Sequence, residues 1–203
     1  MKGIFGKLSK KQLYALCGVL LIIICAGIFF ATRKPEGGVD EEAPFRKKPK
    51  AMGTPYIDPA VMMQGANAWQ GVNYQATARQ ALDIVNQQRA GSGLAPLSWN
   101  DNLSNCAMVR ATELPASFSH TRPNGMDWYT VCADLMYGEN LAYGYNNANG
   151  VVNGWMNSPA HRANIMNGSF TTCGIGLYDA GGTWYWVQEF GYEALREKKN
   201  RLI

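Results

Sequence analysis

Apolar residues recur every three or four positions in two stretches of the chain, and this spacing predicts two amphipathic helices. Gly91 and Gly93 end the first helix, and Pro115 ends the second. Asn100 or Asp101 can cap the start of the second helix. The residues on this spacing are Ala78, Ala81, Leu82 and Val85 in the first helix and Leu103, Ala107, Arg110, Ala111 and Leu114 in the second.

Shorter elements are predicted in the second half of the chain. A short helix is expected around residues 151–155. Ser158 followed by Pro159 is typical of the start of another helix, because serine caps the end and proline is tolerated at the first helical position. Two alternating runs, 172–178 and 183–190, flank a pair of glycines and predict a β-hairpin. Helices followed by a hairpin predict an α+β domain built in layers.

Residues 13–32 contain no charged side chain, and as a helix they could cross a hydrocarbon core of about 30 Å. Four lysines precede them within a basic segment, residues 1–12. A cleaved signal peptide usually has an apolar region of only about 7–15 residues, followed by small residues. Residues 27–32, Gly-Ile-Phe-Phe-Ala-Thr, are bulkier. We therefore predict an uncleaved single-pass anchor from Leu13 to Thr32, with secretion after cleavage as the alternative.

Basic residues lie on both sides of this span, so they do not decide its orientation. Residues 33–73 are rich in proline, glycine and blocks of charge, and this composition predicts a solvated stalk. The folded domain is predicted to occupy residues 74–192, followed by a basic tail, residues 193–203. The whole chain has a net charge of +4, but residues 74–192 contain five arginines and eight acidic residues. A mildly acidic domain excludes a nucleic-acid-binding core, which needs a basic face.

The chain has two histidines, His120 and His161, and Glu139 lies between them in the sequence. Two imidazoles and one carboxylate would suit a zinc site with three protein ligands and one open position. Spacing alone does not show that these side chains meet, and a histidine in a turn is more often a structural hydrogen-bonding group. Both interpretations remain open from the residues alone.

Four ordered motifs together resemble a known family. The chain resembles the CAP superfamily, named for cysteine-rich secretory proteins, antigen 5 and pathogenesis-related 1, and is most similar to its bacterial SCP-like extracellular branch. The resemblance covers roughly residues 76–192. The motifs are Phe118-Ser-His-Thr-Arg-Pro-Asn-Gly125, Gly138-Glu-Asn-Leu-Ala142, Trp155-Met-Asn-Ser-Pro-Ala-His-Arg-Ala-Asn-Ile-Met-Asn167 with Cys173-Gly-Ile-Gly176, and Tyr185-Trp-Val-Gln-Glu-Phe-Gly191.

The resemblance implies a three-layer α-β-α sandwich that lies outside the cytoplasm. Family members hold two histidines and two acidic side chains around a central groove. His120, Glu139 and His161 match three of these four residues. The fourth is a glutamate three residues after the tryptophan that matches Trp155, and this chain has Ser158 there. The resemblance therefore implies a weakened or differently filled metal site, or no metal.

We expect an extracytoplasmic binding module at the cell envelope rather than an enzyme. Its groove would be lined by His120, Glu139 and His161, with Arg122 and Ser158 as supporting polar groups and Tyr143 at the rim. The ligand could be a peptide, a glycan or a lipid. The alternative is a zinc-dependent hydrolase in which His120, His161 and Glu139 bind Zn²⁺ and carry the catalysis. A third interpretation makes these residues structural, holding loops over the sandwich.

Three of the five cysteines, Cys106, Cys132 and Cys173, lie in the predicted domain. An odd number permits at most one internal disulfide and leaves a free thiol. The sequence leaves a Cys106–Cys132 bond open, but it favours three small buried thiols.

Overall fold

The computed structural model describes residues 37–50 and 52–193, which belong to one compact unit. The predicted basic segment, the anchor and nearly all of the basic tail lie outside these residues. Within the two described ranges, no helix is both long and apolar enough to cross a membrane.

A five-stranded sheet forms the centre of the domain, and it is mostly antiparallel. Its strands follow the order β1-β3-β5-β4-β2, and β2 pairs with β4 in parallel. The long β4–β5 hairpin confirms the turn predicted at the glycine pair. The strands are β1 (Gly38–Val39), β2 (Ser98–Trp99), β3 (Gly138–Tyr143), β4 (Thr172–Ala180) and β5 (Thr183–Gly191).

Five α-helices and one 3-10 turn surround the sheet in the described part of the chain. Asn100 caps α3 by accepting a hydrogen bond from the Leu103 amide, and Ser158 and Pro159 mark the start of α5 as predicted. The helices are α1 (Pro59–Ala68), α2 (Val72–Gly91), α3 (Asp101–Glu113), α4 (Ala148–Asn157) and α5 (Pro159–Ile165), and the 3-10 turn spans Trp128–Val131.

Helices cover both faces of the sheet, which confirms the predicted α+β class. On one face, α2 and α4 bury their apolar sides against alternate residues of β4 and β5, with Trp155 and Trp186 fully buried among them. On the other face, α3 packs against the sheet and α1 packs against α3. The sheet therefore lies between two helical layers.

Two glycines of β4 let α3 lie directly on the sheet. Cys173, Ile175 and Leu177 point into the core shared with α2 and α4, so Gly174 and Gly176 face α3. A β-carbon at Gly174 would lie 2.3 Å from the Ser104 amide nitrogen. In the Gly174-Ile-Gly176 pattern, the isoleucine side chain fills the core on one face of the strand, and the two glycines leave room for α3 on the other face.

Replacing Gly176 with alanine should lower the free energy of unfolding by about 1–3 kcal/mol. The new β-carbon would lie 2.5 Å from the Ala107 carbonyl carbon, and backbone atoms would have to move apart. Gly91→Ala is the matched control, since a β-carbon there meets nothing within 4 Å. Urea unfolding of both variants measures the difference, and equal stabilities would show that α3 does not constrain this strand.

Part of the predicted stalk belongs to the domain. Residues 37–46, which we call the strap, begin with β1 and run along the edge of β3. The start of α1 is explained by Asp58, whose side chain accepts a hydrogen bond from the Ala60 amide at 2.8 Å, and by Pro59 in the first turn. The folded unit therefore includes residues before the predicted boundary at 74, because proline and glycine interrupt regular elements without preventing packing.

Cys106 and Cys132 form a disulfide that ties α3 to the segment after the 3-10 turn. Cys173 is free and buried in β4, and burial raises the pKa of its thiol to about 12. The expectation of three thiols is therefore wrong. Spacing could not distinguish the two states, because it is the fold that brings residues 26 positions apart together.

Candidate functional site

Both histidines contact one carboxylate, that of Asp40 in the strap. His161 Nε2 lies 2.7 Å from Asp40 Oδ1, and His120 Nε2 contacts Asp40 Oδ2. We call the two histidines the clamp. His120 lies in the loop after α3, His161 in the first turn of α5, and Asp40 directly after β1. Three separate parts of the chain therefore meet at one carboxylate.

The other ring nitrogens fix the orientation of the clamp. His120 Nδ1 lies 2.7 Å from Glu139 Oε1, and His161 Nδ1 lies 2.7 Å from Ser158 Oγ. Ser158 caps α5 by position only, since its side chain makes no capping hydrogen bond. A carboxylate can only accept, so His161 Nε2 carries the hydrogen that points at Asp40. His120 Nε2 is in ionic contact with Asp40 Oδ2 and donates its hydrogen bond to the Glu42 carbonyl at 3.0 Å.

Glu139 belongs to a buried network behind His120. Arg110 donates to Glu139 Oε2 through Nε at 2.9 Å and to Oε1 through Nη2 at 3.2 Å. Arg110 also donates to the Ser119 carbonyl at 2.7 Å and to Glu113 at 2.7 Å. Arg110 and Glu139 are fully buried, so this is a bidentate ion pair without contact with water.

Glu189 lies opposite Glu139 in the β3–β5 pairing and is also fully buried. Burial, followed by the charge of Glu139, raises the pKa of Glu189 well above its ordinary value. Neither of its oxygens accepts a hydrogen bond within the described residues. In its neutral form Glu189 can donate its O–H to Glu139. Two neighbouring carboxyl groups therefore share one negative charge.

His120 is a cation at neutral pH. Burial by itself lowers the pKa of His120, but hydrogen bonds to Asp40 and Glu139 outweigh it and raise the pKa to about 10. Burial raises the pKa of Asp40, whereas the contacts with His120 and His161 outweigh it and hold the pKa below its ordinary value. His120 and Asp40 thus form an ion pair.

The stability supplied by His120 should decrease with rising pH. Its folded pKa of about 10 lies above the ordinary 6.5, so the contribution is complete below pH 6.5, falls between 6.5 and 10, and is absent above 10. One proton changes the free energy of unfolding by at most about 1.4 kcal/mol per pH unit. The free energy of unfolding in urea should be higher for wild type than for His120→Gln at pH 6, and this difference should be smaller at pH 8.5.

Glu189 also lowers the free energy of unfolding as pH rises, because its pKa is raised in the folded state. Glu189 is present in both proteins, so subtracting their free energies of unfolding cancels this effect. If the difference in free energy of unfolding between wild type and His120→Gln is the same at pH 6 and pH 8.5, the result would contradict the ion pair.

The predicted zinc ligands do not meet around a common point. Glu139 lies at Nδ1 of His120, on the other side of the ring from the Nε2 that contacts Asp40. The 2.7 Å between His161 Nε2 and Asp40 is a hydrogen-bond distance, whereas ligands around tetrahedral zinc are separated by about 3.3 Å. Among the residues that the structure describes, no group of three or more His, Cys, Asp or Glu side chains could hold a metal ion.

The remaining predicted site residues lie apart from the clamp. Arg122 pairs with Glu113 rather than with the clamp, with Nη2 and Oε1 2.7 Å apart. Tyr143 is 37% exposed and contacts the strap where the ring approaches Gly38. An open cavity of about 320 Å³ beside His120 is lined by Asp40, Glu41, Glu42 and residues 118–121.

Sequence reasoning missed Asp40 and the role of Arg110. Arg110 carried a signal, because a cation on the apolar spacing of a helix must find a buried acid. Asp40 carried none, since it lies in a charged segment 121 residues before His161.

The model of the cysteine-rich secretory protein family, CAP, matches residues 82–190. This match covers more than half of the chain. The chain belongs to the CAP family. At the position where the resemblance implies a glutamate, three residues after Trp155, the chain has Ser158, and the carboxylate that contacts the two histidines is that of Asp40.

Two curated relatives come from Bacillus subtilis. The protein YkwD is 32% identical over 126 residues, which is 57% of this CAP chain and 47% of YkwD. The membrane protein YlbC is 30% identical over 110 residues, 49% of this chain and 31% of YlbC. The chain therefore spans less than half the length of either relative.

Solved structures show the same fold. An extracellular protein of Bacillus anthracis containing an SCP domain superposes with a TM-score of 0.53 at 25% identity, covering 69% of this chain and 45% of that one. An outer surface protein of Borrelia burgdorferi superposes with a TM-score of 0.51 at 24% identity, covering 57% and 91%. The CAP domain thus shares its fold with an extracellular protein of Bacillus anthracis.

Proposed function

We propose that this chain is an extracytoplasmic binding module, held at the cell membrane by residues 13–32, whose clamp binds a carboxylate of its ligand. The observation that supports this is Asp40, whose single carboxylate contacts both His120 and His161. The occupant belongs to the strap, outside the 82–190 core that the family model matches. A carboxylate from another molecule could therefore replace it.

The chemistry of the clamp suits a carboxylate. Nε2 of both histidines contacts one carboxylate, and the positive charge on His120 strengthens its attraction for that group. The Asp40 and His120 side chains retain 14% and 13% of their exposure, so solvent reaches the site. The Arg110–Glu139 pair holds His120 from behind and leaves Nε2 for the ligand.

The location rests on three independent observations. A disulfide is typical of oxidising compartments outside the cytoplasm. One relative is a membrane protein and one similar structure belongs to an extracellular protein. With the domain on the outer side of the membrane, an anchor at residues 13–32 would hold it there, and cleavage would release it.

Chemical rescue tests the clamp. Asp40→Ala in the full chain, held in detergent micelles, removes the carboxylate and leaves space between the histidines. Acetate should then raise the melting temperature of this variant, whereas acetamide, a neutral molecule of the same shape, should not. Chloride keeps the ionic strength constant.

The double variant Asp40→Ala/His161→Ala is the control, since it retains the cavity but loses one donor. Rescue confined to the single variant supports the proposal. Equal effects of acetate on wild type and both variants would overturn it, because they would reflect salt rather than a site.

A further inference from the structure

The strap is bound as an extended peptide would be. Resting on the proposed function, we infer that the ligand of the clamp is an extended acidic polypeptide segment. It adds antiparallel to the outer edge of β3 and places an aspartate or glutamate between the histidines. The strap is the resident occupant that such a segment displaces.

Main-chain atoms make most of the contacts between the strap and the domain. Gly38 and Val39 pair with Tyr143 and Ala142. The Glu139 amide donates to the Pro44 carbonyl at 3.0 Å, and the Arg46 amide donates to the Tyr137 carbonyl at 2.6 Å. Side chains of the domain also bind carbonyls of the strap: Asn164 donates to Ala43 at 3.2 Å, and His120 Nε2 to Glu42 at 3.0 Å.

Beyond the two glycines, these contacts use the backbone of the strap, so they tolerate other side chains. Gly37 and Gly38 are the exception, because a β-carbon there would lie 2.7 and 3.0 Å from atoms of Tyr143. Recognition of a peptide by main-chain pairing at a sheet edge, with pockets for selected side chains, is a known mode of peptide binding. The clamp is the pocket here, and Asp40 is the selected side chain. Glycans and lipids lack the repeated amides and carbonyls that the edge of β3 pairs with.

The register explains how a side chain reaches the clamp. Val39 pairs with Ala142, and Phe45 bridges to Gly138. Residues 40–44 therefore lie opposite only residues 139–141, and the strap has two residues more than the strand. This bulge lifts Asp40 out of the line of the sheet and toward the histidines.

The strap contributes little to the core, so a competitor can displace it. In the strap, Val39 is partly buried and packs on the main core. Glu41, Glu42 and Phe45 are exposed, and Phe45 is 61% exposed. Arg46 fixes the end of the strap through a hydrogen bond to the Ala133 carbonyl at 2.7 Å. Opening the strap exposes unpaired amides and carbonyls along β3, a template for another strand.

The probe is a fluorescein-labelled peptide with the sequence of residues 37–46, Gly-Gly-Val-Asp-Glu-Glu-Ala-Pro-Phe-Arg. The full chain in micelles is titrated and the anisotropy of the peptide is measured. Asp40→Asn should bind the peptide at least tenfold more tightly than wild type, because the internal competitor is weakened. Glu41→Gln is the matched control: it removes the same charge from an exposed neighbour and should bind like wild type.

Three altered peptides, each titrated against Asp40→Asn, show how much the aspartate side chain and the backbone amides of the peptide contribute to its affinity. Asparagine in place of the peptide's aspartate should weaken binding at least tenfold. Methylation of the arginine amide removes the donor to Tyr137 and should weaken binding to a similar extent. Methylation of the first glutamate amide should change little, since that amide makes no hydrogen bond in the described structure.

Arg46→Ala is a second way to loosen the strap without changing the clamp, and it should also tighten peptide binding if Asp40→Asn fails to fold. Peptide binding insensitive to methylation of the arginine amide, while acetate still rescues Asp40→Ala, would overturn strand addition and leave the carboxylate site standing. Strand addition is also overturned if the peptide binds neither Asp40→Asn nor Arg46→Ala while acetate still rescues Asp40→Ala. Failure of acetate rescue would instead remove the proposed function itself.

Discussion

Replacing Arg110 with methionine should lower the free energy of unfolding by about 3–5 kcal/mol, the cost of leaving a buried charge without its partner. Arg110 neutralises Glu139 through two hydrogen bonds, and Glu189 lies directly opposite. Without the guanidinium, two buried carboxyl groups would face each other with His120 as the remaining cation. Urea unfolding at pH 7 measures the loss.

An exposed arginine provides the matched control. Arg79 pairs with Asp101 at 2.8 Å, but the side chains are 46% and 76% exposed, so Arg79→Met should cost no more than about 1 kcal/mol. Adding Glu139→Gln to Arg110→Met should recover part of the loss, because it removes the unpaired charge. Similar losses for the two arginine variants would contradict the buried pair.

Removing the disulfide should lower the free energy of unfolding by about 3–4 kcal/mol, the loop-closure entropy expected for a separation of this length. Cys106 and Cys132 are 26 residues apart, so their bond restricts a large loop of the unfolded chain. The variant Cys106→Ala/Cys132→Ala should therefore unfold at clearly lower urea concentration than wild type under oxidising conditions.

A reducing agent separates the bond from the loss of the side chains. It should lower the stability of wild type toward that of the double variant and leave the double variant unchanged. Cys173→Ala serves as a further control, since its thiol is buried and free. If mass spectrometry shows that the disulfide is reduced but the free energy of unfolding of wild type does not change, the result would contradict the prediction.

The sequence predicted the elements that depend on short-range signals. The start of α5 follows from Ser158 and Pro159, the hairpin from its glycine pair, and the class from the order of helices and strands. The resemblance of the four motifs also implied that His120, Glu139 and His161 belong to one site. In the structure both histidines contact Asp40, and Glu139 contacts the other ring nitrogen of His120.

The remaining features depend on pairing between distant segments. Glu139 and Glu189 become neighbours because β3 pairs with β5 in one register, and shifting that register by one residue would turn the side chains to opposite faces. The proline, glycine and charged residues of the strap predict a stalk, because they describe only local freedom of the chain. They do not describe whether a neighbouring edge offers hydrogen bonds.

The position of the strap in the chain has a consequence for synthesis. Asp40 is made early, and its partner His161 follows 121 residues later. Contacts over such separations form late, because the loop between them must close first. While the chain is being translated or exported, Asp40 therefore remains without its two histidines until α5 has emerged. The ion pair is complete only in a nearly full-length domain, so an interrupted chain would expose both the acidic segment and the edge that receives it.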